Sequence, residues 1–404
     1  MIESNISIKQ NTKFKTANLG CFLRLPLTRH NMAYASLLCR AQMNATLFYP
    51  TVTGQTKRLQ ELYSIKFEAS PQLFGKDLII AYYIDFIEPK EILDPDYNYD
   101  QIVSTFARLV LNPSFDEELI ELTKRQLADN YQALMAEPAN YALQGFFNIW
   151  YASQPDYAES FMGPLDLIEE ATPRSLRRYA ENLRSVPMVV LGNVYDYRQV
   201  QRLADKYFKQ SGLIRDFKEK DLAISAPHLD VEKIEKKGNI QSQLLIGYGY
   251  KKEFNLKEQV TGLVLSQYLT GEQSSRLFTK VREQTGAAYA IESSWFSNNS
   301  LFLINAGLDP DKVDITRKII IDEMKKVAEG RIDPGLLKQS KQSLINLNLI
   351  GQDRENWLIG QQLRSYLFDG YKDFDRIQAI KNVTTKKLSD FVNDLFLNES
   401  YILK

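Results

Sequence analysis

From Leu301 to Ala306 the side chains fall into two rows. Leu301, Leu303 and Asn305 form one, and Phe302, Ile304 and Ala306 the other. A period of two predicts a strand in a sheet with a core face. Upstream, Ser274 to Gln284 places Leu277, Phe278 and Val281 on one stripe, which predicts a helix. Ser274 and Ser275 are suited to cap its start. Gly286 is suited to end it in a left-handed conformation. Tyr289 then opens a second strand, AYAIESSWF.

The same order of elements occurs twice. The first half opens with a strand, Asn18 to Leu27, then a helix from Asn31 to Asn44. A second helical piece, TKRLQELYS, leads into the strands IKFEAS and DLIIAYYIDFI. The second half opens with the strand Gln241 to Lys251 and the helix LKEQVTGLVLSQYL. The helix and two strands described above follow it. Ile65 to Ser70 aligns with Tyr289 to Ser294, and Phe115 to Leu127 resembles Ile332 to Leu344. Ala171 to Leu183 resembles Val383 to Leu395, each with a threonine placed as N-cap. The strand Pro187 to Val194 is echoed by the closing SYILK. These matches, in one order, predict a tandem duplication: one domain over 1–214, a charged linker over 215–237 and a second domain over 238–404.

Composition narrows the function classes. Lysine plus arginine equals aspartate plus glutamate, 50 each in 404 residues. That balance argues against a nucleic-acid or anionic-membrane surface. The longest apolar stretch, around Leu78 to Ile87, is too short to span a bilayer. The first twenty residues lack a signal-peptide core. Cys21 and Cys39 suit a reducing compartment, so the cytoplasm is expected. No Walker motif, G-x-S-x-G or C-x-x-C is present, and GYGY at Gly247 to Tyr250 reads as strand. The acids Asp116, Glu117, Glu118 and Glu121 suit the first turns of a helix.

Arginine offers five donors in a rigid fork, and tyrosine a hydroxyl on a flat apolar face. Arg282 and Tyr289, on either side of the helix stop, therefore suit the carbonyls of an extended peptide. An equally simple use is structural, with Arg282 paired to Glu283 or Glu292 and Tyr289 in the core. Arg276 and Lys280 read as the solvated face of the same helix. The stretch from Gly271 to Trp295 resembles the substrate-gripping motif of the pitrilysin/insulinase family of zinc peptidases, which includes the mitochondrial processing peptidase.

Catalytic members of that family also carry H-x-x-E-H, two histidine ligands and a glutamate that activates water. This chain has only His30 and His228. In the matching stretch, Asn31 to Thr51, the ligand helix reads Leu37, Leu38, Cys39, Arg40, Ala41, Gln42, without histidine or acid. One thiolate makes no zinc site, so Cys39 reads as a buried hydrophobe. His30 reads as a loop histidine and His228 as a solvated one in the linker. No metal ligand or catalytic residue is expected in this chain.

The resemblance implies an α+β fold of two homologous tandem domains, each an antiparallel β-sheet covered by helices on one face, the LuxS/mitochondrial processing peptidase-like metallohydrolase fold. It implies a degenerate metal site in the first domain and substrate binding by Arg282 and Tyr289 in the second. Zinc is then expected in a partner subunit bearing H-x-x-E-H, with a peptide as shared substrate. The alternative is a catalytically inactive homodimer serving as scaffold or peptide-binding protein.

Overall fold

Strands and helices recur in one sequence in both halves. The first half runs β1 (Ile6–Gln10), β2 (Thr16–Pro26), α1 (Arg29–Asn44), α2 (Val52–Glu61), β3 (Lys66–Phe74), β4 (Asp77–Ile87), α3 (Tyr99–Leu111), α4 (Glu117–Ala136), α5 (Pro138–Trp150), α6 (Leu165–Glu170), α7 (Pro173–Asn182), β5 (Met188–Val194) and α8 (Tyr197–Phe208). The second runs β6 (Val231–Glu235), β7 (Ser242–Tyr250), α9 (Leu256–Thr270), α10 (Arg276–Thr285), β8 (Ala288–Phe296), β9 (Leu301–Leu308), α11 (Val313–Ala328), α12 (Pro334–Gly351), α13 (Glu355–Leu367), α14 (Arg376–Lys381), α15 (Thr385–Asn393) and β10 (Leu395–Leu403). This computed structural model describes residues 5–159, 162–208, 217, 221–238, 241–253, 255–285 and 288–404, without the side chains of 284, 285, 288 and 289.

Each half builds a five-stranded sheet, in the orders β1-β5-β2-β4-β3 and β6-β10-β7-β9-β8. The two orders are the same once the halves are aligned strand for strand. The sheets are mixed, not wholly antiparallel. β1 runs parallel to β5, with Ile6 opposite Val190, and β6 parallel to β10, with Val231 opposite Glu399. Within the charged stretch 215–237, Leu222 and Ile224 are buried, and Val231–Glu235 forms the edge strand β6. β6 exposes nearly all of its side chains. It is held through its backbone, so no apolar pattern marks it.

The chain forms two compact units that interleave in sequence. One comprises Met1–Gln132, Phe161–Asp221 and Gln352–Gly370, the other Ala133–Ser160, Leu222–Gly351 and Tyr371–Lys404. Helix α13 thus belongs with the first sheet and α5 with the second. In the first unit, α1 meets the face that carries Tyr82, whose hydroxyl donates to Gln42 Oε1 at 2.8 Å. The opposite face carries a row of Asn193, Asn18 and Asp85 across β5, β2 and β4. There α13 docks: Gln362 Nε2 donates to Asn193 Oδ1, and Asn18 Nδ2 to Asn356 Oδ1, both at 2.9 Å. Each sheet is therefore helix-covered on both faces, not one.

The second unit repeats this with an apolar interface. Phe302, Ile304 and Ala306 of β9 join a core with α9, α10 and α11. Leu301 and Leu303, on the other row, join Phe146 and Trp150 of α5. Gly247 of β7 is required there, because a Cβ would lie 2.5 Å from the Phe146 ring and 2.8 Å from that of Trp150. Opposite Gly247 stands Glu399 of β10, 1% exposed. Neither of its carboxylate oxygens has a hydrogen-bond partner among the described residues. Burial pushes this carboxyl up to about 9.

Candidate functional site

Helix α10 is anchored by two fully buried residues, Leu277 and Val281, with Phe278 partly buried beside them. Ser275 precedes it, but its hydroxyl has no hydrogen-bond partner among the described residues and so makes no capping bond there. Arg276 is not a solvated face residue. Its Nε lies 2.6 Å from Oε2 of Glu323 on α11, and Lys326 Nζ lies 2.6 Å from the other oxygen. Burial alone would raise the Glu323 carboxyl, but hydrogen bonds from Lys326 and Arg276 hold it below the ordinary carboxylate value. The signal for this clamp was the acid at the buried face of α11, which only the fold connects to Arg276.

Arg276→Ala should therefore loosen α10 from α11. It leaves Glu323 with one cation, and we expect a loss of about 2 kcal/mol in denaturant unfolding at pH 7. A depressed folded-state carboxyl stabilises above its unfolded value, and that stabilisation is lost as pH falls through the folded one. The gap between wild type and variant should accordingly narrow below pH ~4.

Lys280 pairs with Glu283 at 3.2 Å. Glu283 is thus engaged, and Glu292 is exposed on β8. Arg282 is exposed and makes no ion pair among the described residues; its guanidinium lies 6.0 Å from the Phe278 ring. The core below holds the helix, and the charged fork stays available. β8 follows directly and is an edge strand, hydrogen-bonded among the described strands to β9 alone. Residue 289 falls where the register of that pair shifts, between Ala288 and Ala290. Such a bulge interrupts the strand's alternation. Gly286 and the side chain of Tyr289 lie outside the described residues.

The first unit holds a different constellation. Thr28 caps α1 through the Asn31 amide, which places His30 in the first helical turn, not in a loop. His30 is exposed and stacks on Tyr34 at 4.2 Å. His228 is exposed too, stacked on Phe396 at 4.7 Å. Cys39 and Cys21 are buried free cysteines, and burial pushes both thiols far above their ordinary value. Gln42 is tied by its amide to the carbonyls of Leu109 and Val110 at 2.8 Å, closing the end of α3.

Sequence reading missed the cluster beside it. Arg40 and Asn44 stand one turn apart on α1, the i, i+4 spacing of the two histidines in H-x-x-E-H. Both donate to one atom, Oε1 of Gln126 on α4, at 2.9 Å. Asn44 also reaches Thr123 Oγ1 at 3.3 Å. The i, i+4 polar pair on the helix that matches the family's ligand helix was the available signal. A guanidinium and two neutral amides do not fit zinc, which takes thiolate, imidazole or carboxylate. Among the described residues, no group of three or more His, Cys, Asp or Glu is placed to hold a metal ion.

Residues 186–344 match the family profile described as the peptidase M16 inactive domain. A protein of Bacillus subtilis named probable inactive metalloprotease YmfF is 25% identical over 98% of this chain and 95% of its own length. An uncharacterized zinc protease of Streptomyces coelicolor is 33% identical, over 42% of this chain and 38% of its own. Among solved structures, a conserved protein from Enterococcus faecalis superposes with a TM-score of 0.87 at 18% identity, covering 99% of this chain and 96% of the other. A peptidase M16 inactive domain from Pseudomonas fluorescens does so with 0.78 at 14% identity, covering 98% and 94%. This is the pitrilysin/insulinase resemblance met in the sequence, and the chain is a homologue of the inactive metalloproteases of the M16 family.

Proposed function

We propose that this chain is the substrate-binding, metal-free subunit of a heteromeric zinc metallopeptidase. In this reading a partner chain bearing H-x-x-E-H supplies zinc, the glutamate base and water activation. Arg282 and Tyr289 of this chain donate to backbone carbonyls of an extended peptide. The carrying observation is Arg282 itself, an exposed guanidinium without an ion pair among the described residues, on a helix clamped from beneath. The adjoining edge strand β8 offers unpaired backbone groups to an added strand. Two buried thiols accord with the cytoplasm, and no described helix is long and apolar enough to cross a membrane.

The test is peptide hydrolysis by this chain alone and after co-expression with an H-x-x-E-H homologue from the same genome. Activity is expected only in the mixture. Arg282→Ala should lower its kcat/KM by about 10–100-fold, the value of a lost charge-assisted hydrogen bond, with the melting temperature unchanged. Tyr289→Phe should cost about 3–10-fold. Zinc-dependent hydrolysis by this chain alone would refute the proposal. Silence in both preparations, with a stable homodimer, would assign a scaffold instead.

A further inference from the structure

The duplication exposes a difference between the units that points to a second site. Both first helices open on a side-chain cap, Thr28 for α1 and Asn255 for α9. Both units carry a short helix followed by a threonine-capped one, α6 then α7 at Thr172, and α14 then α15 at Thr384. Counting from the caps, His30 and Tyr34 correspond to Lys257 and Thr261. Ser175 and Tyr179 likewise correspond to Lys387 and Phe391. Buried Ile168 and Leu176 fall on buried Ile380 and Leu388, which supports the alignment.

In the first unit this niche is plugged by the protein's own rings. Tyr34 stacks on His30 at 4.2 Å and tilts against Tyr179 at 5.4 Å. Its hydroxyl donates to Ser175 Oγ at 3.0 Å. In the second unit Thr261 stands at the position of Tyr34, and the rings of Phe374 and Phe391 border the space instead of closing it. What remains is a cavity of about 480 Å³, whose lining includes Lys257, Thr261, Phe374, Lys387, Asp390 and Phe391. That volume is in the range of small-molecule sites, about 300–1,000 Å³. Its floor is apolar: Thr261 and Phe391 are buried, and Tyr250 stacks beneath Phe391 at 5.0 Å.

The rim carries both signs of charge. Lys252 and Asp394 satisfy each other at one side. Lys257 and Asp390 make no ion pair among the described residues. Of the other charged lining residues, Asp375 accepts from the Gln378 amide and Lys387 donates to the Asn382 carbonyl, while Glu258 adds a second carboxylate, so the site offers an apolar slot, an ammonium at Lys257 and carboxylates at Asp390 and Glu258. We propose that this cavity of the second unit binds a zwitterionic aromatic molecule of the aromatic amino acid class. The ring occupies the space that Tyr34 fills in the first unit. The ligand's carboxylate faces Lys257 and its ammonium faces Asp390.

The test is isothermal titration of the full chain with L-tyrosine. Saturable binding is expected, with p-cresol, which lacks both charges, and L-alanine, which lacks the ring, each weaker by about tenfold or more. Thr261→Tyr, which transplants the plug, should abolish binding while the melting temperature holds or rises. Lys257→Met and Asp390→Asn should each weaken binding about fivefold. If Thr261→Tyr lost its native melting transition, Ala379→Leu on the facing helix α14 would serve as the blocking variant. No saturable binding up to the solubility limit of L-tyrosine would overturn the proposal. So would unchanged affinity in the plugged variant, or p-cresol binding as tightly as L-tyrosine.

Discussion

A chain in which Arg40 and Asn44 are changed to histidine and Gln126 to glutamate should bind zinc with a dissociation constant of about a micromolar or tighter, an interaction worth roughly 8 kcal/mol. The expectation rests on where these side chains meet. Arg40 Nε and Asn44 Nδ2 both lie 2.9 Å from one Gln126 oxygen. Neighbouring ligands of a tetrahedral zinc stand about 3.3 Å apart when metal bonds are about 2.0–2.1 Å. Two imidazoles one turn apart and a facing carboxylate form a three-ligand set that leaves one position open. The i, i+4 frame and the fold around it are present, and the donor chemistry is missing. Competition against a chromophoric chelator would measure the effect, with the wild-type chain as baseline. Variant and wild type competing equally would mean that the three positions do not converge on a metal.

The second large effect concerns stability. Glu399→Gln should raise the melting temperature at pH 8 and change it little at pH 5. Glu399 is 1% exposed and its oxygens are unpartnered among the described residues. Burial therefore raises its carboxyl to about 9. A raised carboxyl means that the folded state holds a proton the unfolded chain releases. Stability from this group is complete below the unfolded value and is lost as pH climbs toward the folded one. The wild type should weaken steadily between about pH 5 and pH 9, and the glutamine variant should not. On the order of 3 kcal/mol is at stake at pH 8, or roughly 5–10 °C. Parallel melting curves for the two proteins across that range would show instead that Glu399 is solvated or paired in solution.

Much of the architecture was legible because local and global signals agree. The two rows of β9 separate, as read, onto the two faces of one sheet. Thr172 and Thr384 cap the helices expected of them. What escaped was non-local or carried by the backbone. β1 and β6 are edge strands in parallel pairs, and the exposed side chains of β6 record nothing of its pairing. The exchange of α5 and α13 is invisible because an apolar stripe says that a helix is covered, not by which sheet. Arg276 read as surface because its partner, Glu323, lies on another helix. At the candidate site the motif singled out Arg282, and the structure adds the clamp below it and, among the described residues, no ion pair for its guanidinium. Gln126 escaped because an amide carries no signal until its neighbours are known.

The exchanged helices also bear on how the protein is made. A chain leaving the ribosome completes the strands of its first sheet by Val194, yet the helix that covers the second face of that sheet begins only at Glu355. At cellular elongation rates the wait is on the order of ten seconds. During that interval one face of the sheet is bare. The row of Asn18, Asp85 and Asn193 makes that face polar where α13 will dock. The second sheet has the opposite history. Its cover, α5 with Phe146 and Trp150, is synthesised before any of its strands. The interface that must wait uncovered is the one built around amides, and the one built around Phe146 and Trp150 is assembled with its helix already in hand. Nascent chains halted before Glu355 should accordingly stay soluble while that polar face waits for its helix.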